Sequence, residues 1–149
     1  MKEFKLIGLQ LSCKTTNQNG QSEKDCGALW QTFEVQEIAS RIPNKTTDAI
    51  YAVYFGYESD ENGSFSYFIG CPVETDTQAP EGLQELVIPK QQYRKETAVG
   101  QMPGCMHEAW KRIWSAGMRR KFGYDFEVYD ERSSDWARAT VDIYVSVTE

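Results

Sequence analysis

The chain has 149 residues, a formal net charge of −6 and an isoelectric point of about 4.9. This acidity argues against a nucleic-acid-binding protein, because phosphate backbones are bound by clustered Lys and Arg. Hydrophobic residues make up 40% and charged residues 26% of the chain, as is ordinary for a globular protein. No apolar run approaches the roughly 20 residues of a membrane span. We therefore expect neither nucleic acid nor a membrane as a direct partner.

The amino terminus and the cysteines indicate a cytoplasmic protein. The opening MKEFKLIGLQLSCK alternates too strongly for the continuous apolar core of a signal peptide. No C-x-x-C pair is present and His107 is the single histidine, so a zinc cluster is not expected. We expect no metal or other cofactor, and four reduced thiols at Cys13, Cys26, Cys71 and Cys105.

The first half of the chain predicts a strand, a helix and a hairpin. The strand spans about Phe4 to Cys13. The helix spans about Asp25 to Ile42, with Ser22 as a possible cap and Pro43 as the stop. The hairpin strands lie in IYAVYFGYESDENGSFSYFIGCPV, around the turn ESDENG. Residues 74–82, ETDTQAPEG, have the composition of a linker.

The same order of elements recurs after the linker. A strand region spans Leu83 to Val99 and is broken near Pro89. A helix is predicted over residues 105–122, started by Pro103 and stopped by Gly123. A second hairpin, YDFEVYDE followed by ATVDIYVSV, closes the chain.

The two halves align as a repeat. The helices align at a shift of 80 residues, with Trp30 on Trp110, and the first hairpin strands at a shift of 75, with Tyr54 on Tyr129. We interpret residues 1–149 as one α+β domain with half-repeats of about 1–74 and 83–149. Chance similarity of two stretches with the same element order is the alternative. Two β-α-β-β modules in a pseudo-twofold arrangement would join antiparallel sheets, with both helices on one side and a central ligand cleft on the other.

Residue alternation divides the predicted strands between a helix face and a groove face. The helix face would take apolar rows: Val141, Ile143, Val145 and Val147; Tyr67, Ile69, Cys71 and Val73; Phe126 and Val128. The groove face would take aromatic, acidic and small residues: Tyr54, Phe68, Tyr129, Tyr144, Glu127, Asp142, Ala52, Ser66, Gly56 and Gly70.

Aromatic rings around a carboxylate are chemically suited to an organic cation. The rings supply apolar area and cation–π attraction, and the carboxylate balances the charge. A buried carboxylate without a partner is costly, so a cationic ligand would relieve that cost. The predicted ligand-binding residues are Glu127, Tyr54, Phe68, Tyr129, Asp142, Tyr144 and, at the groove edge, Trp110. The alternative is that these strands show only the solvated face of an antiparallel sheet.

Four segments carry a family resemblance: ALWQTF, IYAVYFGYESDENGSFSYFIGCPV, AWKRIWSAG and YDFEVYDE with VDIYVSV. Together they resemble the GyrI-like small-molecule-binding family, which includes the effector-binding domains of AraC- and MerR-type multidrug regulators. The resemblance covers nearly the whole chain. It implies two β-α-β-β modules around an aromatic cleft, and a glutamate of the penultimate strand, here Glu127, that meets the ligand's positive charge. It also implies roles for Asp142 and Tyr144 of the last strand.

The resemblance implies a standalone binding domain for lipophilic or aromatic cationic compounds, since no segment is left for the regulators' helix-turn-helix domain. Two alternatives stay open. Some relatives of this fold are hydrolases of electrophilic natural products and use the cleft glutamate. A protein partner such as DNA gyrase is the third hypothesis, although no interface signature indicates one. The sequence does not name the ligand.

Overall fold

The protein is an α+β fold in which every strand pairing among the described residues is antiparallel. A computed structural model describes residues 2–60 and 62–148. The strands are β1 (Phe4–Gln10), β2 (Thr15–Thr16), β3 (Ile50–Phe55), β4 (Ser64–Val73), β5 (Gln84–Ile88), β6 (Gln92–Gly100), β7 (Asp125–Tyr129) and β8 (Ala139–Val147). The helices are α1 (Gln21–Val35), α2 (Ile38–Arg41) and α3 (Gly104–Ser115), with short 3-10 helices at Gln18–Gly20 and Glu131–Ser133.

The strand order is symmetric about the central pair of strands. Seven of the eight described strands lie in the order β5-β1-β4-β3-β7-β8-β6, and the eighth, β2, pairs with β4. Moving outward from the β3–β7 pair, β4 and β1 on one side correspond to β8 and β6 on the other. The modules β1-α1-β3-β4 and β6-α3-β7-β8 therefore join at the centre of the sheet, where β3 of one module pairs with β7 of the other. This arrangement confirms the predicted fold class.

Ala52 and Glu127 lie directly opposite each other in the β3–β7 pair. The 75-residue shift that aligns these strands in the sequence maps Ala52 onto Glu127 and so maps this pair onto itself. The pseudo-twofold axis that relates the two halves therefore passes through this pair. The two halves differ there, because one contributes Ala52 and the other Glu127.

Both long helices pack on the same face of the sheet. Phe33 of α1 is buried on Tyr67, Ile69, Cys71 and Val73 of β4. Ala109 and Ile113 of α3 are buried on Val141, Ile143 and Val145 of β8. These two apolar rows face the helices as predicted, except that Val147 is only half-buried and lies outside the cluster.

The other face of the sheet closes on itself. Strands β5 and β6 lie at opposite edges of the sheet but are joined by residues 89–91 alone, so the sheet must curl. The rings of Phe4 on β1 and Tyr93 on β6 both contact Phe126, at centroid distances of 5.6 and 5.3 Å. This curling buries a second core of Leu6, Val53, Phe68, Ile88 and Phe126. The open groove predicted on this face is therefore absent from the described residues.

The first helix differs from its predicted bounds. It begins at Gln21, so Ser22 lies within its first turn, and Gly20 rather than Ser22 occupies the cap position. It ends at Val35 because Glu37 adopts a left-handed conformation with φ of 51°. The separate α2 then ends before Pro43, where the sequence predicted the stop.

The other element bounds follow the prediction with local differences. Helix α3 ends at Ser115 rather than near residue 122, because Gly117 takes a left-handed conformation (φ 70°) that terminates helices. Strand β1 ends at Gln10, not Cys13. The break near Pro89 is confirmed, and residues 74–82 form turns and loop. In the predicted ESDENG turn, Glu61 lies outside the described residues.

All four cysteines are free thiols: Cys71 is buried, Cys26 and Cys105 are half-buried and Cys13 is exposed. In the part of the chain that the structure describes, no helix combines the length and apolarity needed to cross a membrane. The cytoplasmic location stays a prediction.

Candidate ligand-binding site

A cavity of about 710 Å³ lies on the helix face of the sheet, between α1 and α3. Side chains of β3, β4 and β7 form its floor. All four tryptophans of the chain line it: Trp30, Trp110, Trp114 and Trp136. Cavities of this size, largely apolar with a few converging polar groups, hold small-molecule ligands.

Glu127 is the acid on the cavity floor, and it is only 3% exposed. Its Oε2 accepts hydrogen bonds from the Tyr54 hydroxyl at 2.9 Å and from Trp110 Nε1 at 2.7 Å. Its Oε1 accepts one from the Tyr129 hydroxyl at 2.7 Å. All three donors are neutral. Within residues 2–60 and 62–148, no Lys, Arg or His forms a salt bridge with Glu127.

Burial and hydrogen bonding act in opposite directions on Glu127. Burial raises the pKa of its carboxyl above the ordinary value of 4.5, and hydrogen bonds from Tyr129, Trp110 and Tyr54 offset part of that rise. Burial also raises the pKa of the Tyr54 and Tyr129 hydroxyls, as does the nearby carboxylate, so both hydroxyls keep the protons that they donate. When it is ionised, the carboxylate is stabilised by three neutral donors, and the described residues give it no salt bridge.

Each long helix contributes a tryptophan that packs against a tyrosine of the other half. Trp30 of α1 lies edge-on to Tyr129 of β7 at a centroid distance of 5.0 Å. Trp110 of α3 lies edge-on to Tyr54 of β3 at 5.4 Å. The indole of Trp30 donates to the hydroxyl of Tyr67 at 2.8 Å, whereas that of Trp110 donates to Glu127. The aromatic walls thus repeat while their hydrogen bonds differ.

A second buried acid, Asp125, lies two residues before Glu127 and has a different environment. Its Oδ2 is 2.8 Å from Arg120 Nη2 and accepts from the Tyr57 hydroxyl at 2.7 Å. Its Oδ1 accepts from the backbone N–H and the hydroxyl of Ser146 at 2.7 and 2.8 Å. Asp125 therefore has a cationic partner and bonds on both oxygens, as a structural acid requires.

One contact between a histidine and a glutamate joins the two helices that wall the cavity. His107 Nε2 on α3 contacts Glu23 Oε1 on α1, and both side chains line the cavity and are about half exposed or more. Among the described residues, no other hydrogen bond or salt bridge connects α1 with α3. The bridge therefore spans the space between the helices near their amino-terminal ends.

The structure brings four of the seven predicted site residues together and separates the other three. Glu127, Tyr54, Tyr129 and Trp110 converge on the cavity. The face assignment was correct for β4 and β8 but wrong for β3 and β7, because β7 and β8 pair with Glu127 directly opposite Ile143 and Phe126 opposite Tyr144. Glu127 thus shares the helix face with the apolar row of β8.

Phe68, Asp142 and Tyr144 lie on the opposite face. Phe68 belongs to the second core, and Tyr144 stacks on Phe126 at 4.9 Å. Asp142 Oδ2 is 2.7 Å from Arg132 Nη2, and its Oδ1 accepts from the Thr97 hydroxyl at 3.1 Å. Burial raises the pKa of Asp142, but these partners outweigh it and hold the pKa below its ordinary value.

Several cavity residues were missed by the sequence analysis. Trp30 aligns with Trp110 in the repeat, so the repeat itself contained the signal that could have identified it. Tyr67 was assigned correctly to the helix face, although only as a packing residue. Arg120 was placed in the predicted helix, which ends before it at Ser115, and Trp136 lies in the turn before β8. No sequence pattern indicated either residue as part of the cavity.

The chain is similar to known proteins along nearly its whole length. The family model described as "Integron-associated effector binding protein", Cass2, matches residues 1–147. The protein YobU of Bacillus subtilis (strain 168) is 31% identical over 142 residues, which is 92% of this chain and 89% of YobU.

Two solved structures share its fold. The integron cassette protein VCH_CASS2 from the mobile metagenome of Vibrio cholerae is 24% identical with a TM-score of 0.74, over 99% of this chain and 92% of that one. The structure of SAV2435 bound to tetraphenylphosphonium is 14% identical with a TM-score of 0.77, over 99% of this chain and 90% of that one. These likenesses establish the GyrI-like fold.

Proposed function

The chain belongs to the integron-associated effector-binding proteins (Cass2), a GyrI-like family of small-molecule binders. We propose that it binds lipophilic aromatic cations in the cavity between α1 and α3, next to Glu127. The observation that carries this proposal is the state of Glu127, which is 3% exposed and has neutral donors only. A cation in the cavity would supply the counter-charge that the described protein lacks and would reduce the cost of burying the carboxylate.

The surroundings of Glu127 support the same ligand class. The rings of Tyr54, Tyr129, Trp30 and Trp110 surround the carboxylate and offer faces and edges for aromatic stacking and cation–π contact. SAV2435, which has the same fold, was solved with tetraphenylphosphonium, itself a lipophilic aromatic cation. The positions of Phe68, Asp142 and Tyr144 on the opposite face give no support to a ligand-binding role for them.

The test compares a cation with a neutral aromatic compound on two proteins. Tetraphenylphosphonium at a hundredfold excess over its dissociation constant should stabilise the wild type by about 2.7 kcal/mol in thermal unfolding. Glu127→Gln should weaken its binding by about 2 kcal/mol, the attraction of two unit charges about 8 Å apart at an effective dielectric constant of about 20. Triphenylphosphine oxide, which is neutral, should bind both proteins alike.

Glu81→Gln is the matched control, because Glu81 is an exposed acid of the loop over residues 74–82 and its replacement makes the same change in net charge. It should leave cation binding unchanged. Equal binding of tetraphenylphosphonium by wild type and Glu127→Gln would contradict the proposal. Turnover of an electrophilic substrate that depends on Glu127 would instead favour the hydrolase alternative.

A further inference from the structure

The Glu127 carboxylate has an aromatic pair on each side. On what we call the Trp110 side, Trp110 packs against Tyr54, and both donate to Oε2. On what we call the Trp30 side, Trp30 packs against Tyr129, which donates to Oε1. Each oxygen of the carboxylate is therefore tied to its own aromatic pair.

The two aromatic pairs lie on different sides of the carboxylate and are linked only through Tyr67, whose ring lies 5.0 Å from Tyr54 and whose hydroxyl accepts from Trp30, as far as the described residues show. Among residues 2–60 and 62–148, no ring of one pair contacts a ring of the other. The cavity lining continues along α1 beyond Trp30 to Val35, and along α3 beyond Trp110 to Trp114. Because the pseudo-twofold relation exchanges α1 with α3, these extensions point in opposite directions. Glu127 therefore lies at the middle of the cavity rather than at one end.

This position constrains where a ligand carries its charge. A cation whose rings all extend from one side of the charge can contact one aromatic pair and leaves the other pair without a partner. A cation whose charge lies between two aromatic arms can contact both pairs while its centre faces Glu127. The cavity of about 710 Å³ has room for either shape, so volume alone does not select between them.

We infer that the cavity selects two-armed cations, in which the positive centre lies between two aromatic groups, over cations with the charge at one end. This inference rests on the proposed function, since it takes Glu127 as the counter-charge. Trp30 and Trp114 then serve as the outer contacts of the two arms, one on each side of the carboxylate.

Two isomeric probes test the inference directly. Dibenzyldimethylammonium carries its charge between two rings, whereas trimethyl(para-benzylphenyl)ammonium carries both rings on one side of the charge. The two ions have the same formula, charge and number of rings, and neither has an N–H group. By isothermal titration calorimetry we expect the two-armed ion to bind about tenfold more tightly, because it contacts a second aromatic pair.

Variants on each side identify the contacts. Trp114→Ala and Trp30→Ala should each weaken the two-armed ion about fivefold or more, while the one-sided ion should respond to only one of them. Trp114 is 43% exposed and its replacement should not affect folding. Trp30→Phe replaces Trp30→Ala if the latter unfolds, as judged by circular dichroism. Val99→Ala, at a 70% exposed position outside the cavity lining, is the control and should affect neither ion.

The outcomes separate this inference from the proposed function. Equal affinities for the isomers, or a two-armed ion that responds to one tryptophan alone, would overturn the inference while Glu127-dependent binding still supports the function. Failure of both isomers to bind a protein that binds tetraphenylphosphonium through Glu127 would overturn the inference alone. Equal binding of tetraphenylphosphonium by wild type and Glu127→Gln would overturn the proposed function and this inference with it.

Discussion

Trp30 of the amino-terminal half packs edge-on to Tyr129 of the other half at 5.0 Å, and Trp110 of the carboxy-terminal half packs edge-on to Tyr54 at 5.4 Å. The halves differ where they meet, since β3 contributes Ala52 and β7 contributes Glu127 at the same central position. They differ again in their indole hydrogen bonds, because Trp110 donates to Glu127 and Trp30 to Tyr67. The two tryptophan–tyrosine pairs, which we call the aromatic frame, are thus repeated. The carboxylate of Glu127 belongs to the carboxy-terminal half alone.

This difference indicates that the frame does not depend on the acid. Ala52, with 0% exposure, shows that the same central position packs well with a methyl group in the other half. Its counterpart Glu127 adds a desolvated charge without a cation, which costs stability rather than supplying it. We interpret Glu127 as a functional addition to the frame, and the predictions below test that contrast. The duplication of the two halves itself stays a prediction.

The largest expected effect separates the two buried acids of β7. Asp125→Asn should lower the free energy of unfolding by about 3–5 kcal/mol, because it breaks a buried ion pair with the guanidinium of Arg120. Chemical denaturation at pH 7 measures this change. A loss below about 1 kcal/mol would mean that Asp125 is not a structural acid.

Glu127→Gln is the matched comparison two residues away in the same strand. Its amide oxygen can accept from Trp110 and Tyr54, and its NH₂ group can donate to the Tyr129 hydroxyl. We therefore expect unchanged or increased stability, because a desolvated charge is removed while its bonds are replaced. A loss as large as that of Asp125→Asn would show that Glu127 is needed for folding.

The next effect is the pH dependence of cation binding. Burial raises the pKa of Glu127 above 4.5, and the protonated acid has no charge to offer a cation. The dissociation constant of tetraphenylphosphonium, which does not titrate, should be constant above the raised pKa and increase below it, by at most about tenfold per pH unit, until it reaches the value for Glu127→Gln. Glu127→Gln should remove this dependence, and any pH dependence that remains in the variant does not come from Glu127.

The same shift predicts how stability depends on pH. Because the folded-state pKa is the higher one, protonation of Glu127 favours the folded chain, and this contribution is lost as pH rises from about 4.5 through the folded pKa. The stability of the wild type relative to Glu127→Gln should therefore decrease with rising pH across that window. An increase would contradict the raised pKa.

A smaller effect distinguishes Trp110 from Trp30, the two tryptophans that pack against Tyr54 and Tyr129. Trp110→Phe removes one donor to Glu127 and should raise the pH midpoint of cation binding by about one unit, the equivalent of one hydrogen bond to a charged group. Trp30→Phe removes a donor to Tyr67 instead and should leave the midpoint unchanged. Both variants lose similar ring area, so an equal midpoint in the two would show that Trp110 does not tune Glu127.

The fold could be predicted from the sequence because apolar periodicity and turn residues mark most of its elements. The unbroken row of Val141, Ile143 and Val145 requires a buried face, and the break near Pro89 requires a new strand. The bound of α3 was less accessible, since Trp110 to Lys121 continues a helix-like pattern that Gly117 interrupts through its left-handed backbone. A single glycine decided that end.

The site could be predicted only in part, because alternation gives two faces but not their surroundings. Polar and aromatic residues of β7 were assigned to an open groove, as is usual for a sheet with one wet face. In this protein both faces are buried, and the residues of 89–91 close one of them by joining the two edges of the sheet. The cavity beside Glu127 lies between α1 and α3. It depends on how the two helices pack on the sheet, which strand periodicity does not encode.

The smallest expected effect concerns the one polar link between the helices of the two halves. Glu23 and His107 line the cavity from α1 and α3, and both are substantially exposed, so their pairing contributes little to stability. Because the pair spans the space through which α1 and α3 face each other, its loss should let the helices separate more readily. We therefore expect Glu23→Gln to change the rates of ligand exchange more than the affinity.

Stopped-flow tryptophan fluorescence with tetraphenylphosphonium measures both rates. Glu23→Gln should raise the association and dissociation rate constants together, by about two- to fivefold, the size expected of an exposed ion pair. Glu108→Gln is the control, because Glu108 pairs with Lys111 within α3. Its substitution removes the same charge as Glu23→Gln and leaves the contact between α1 and α3 in place. If the two variants behave alike, the change in rate reflects charge alone. A dissociation rate raised in Glu23→Gln only, with little change in affinity, would instead show that the contact between the two halves controls access to a site whose charge comes from one of them.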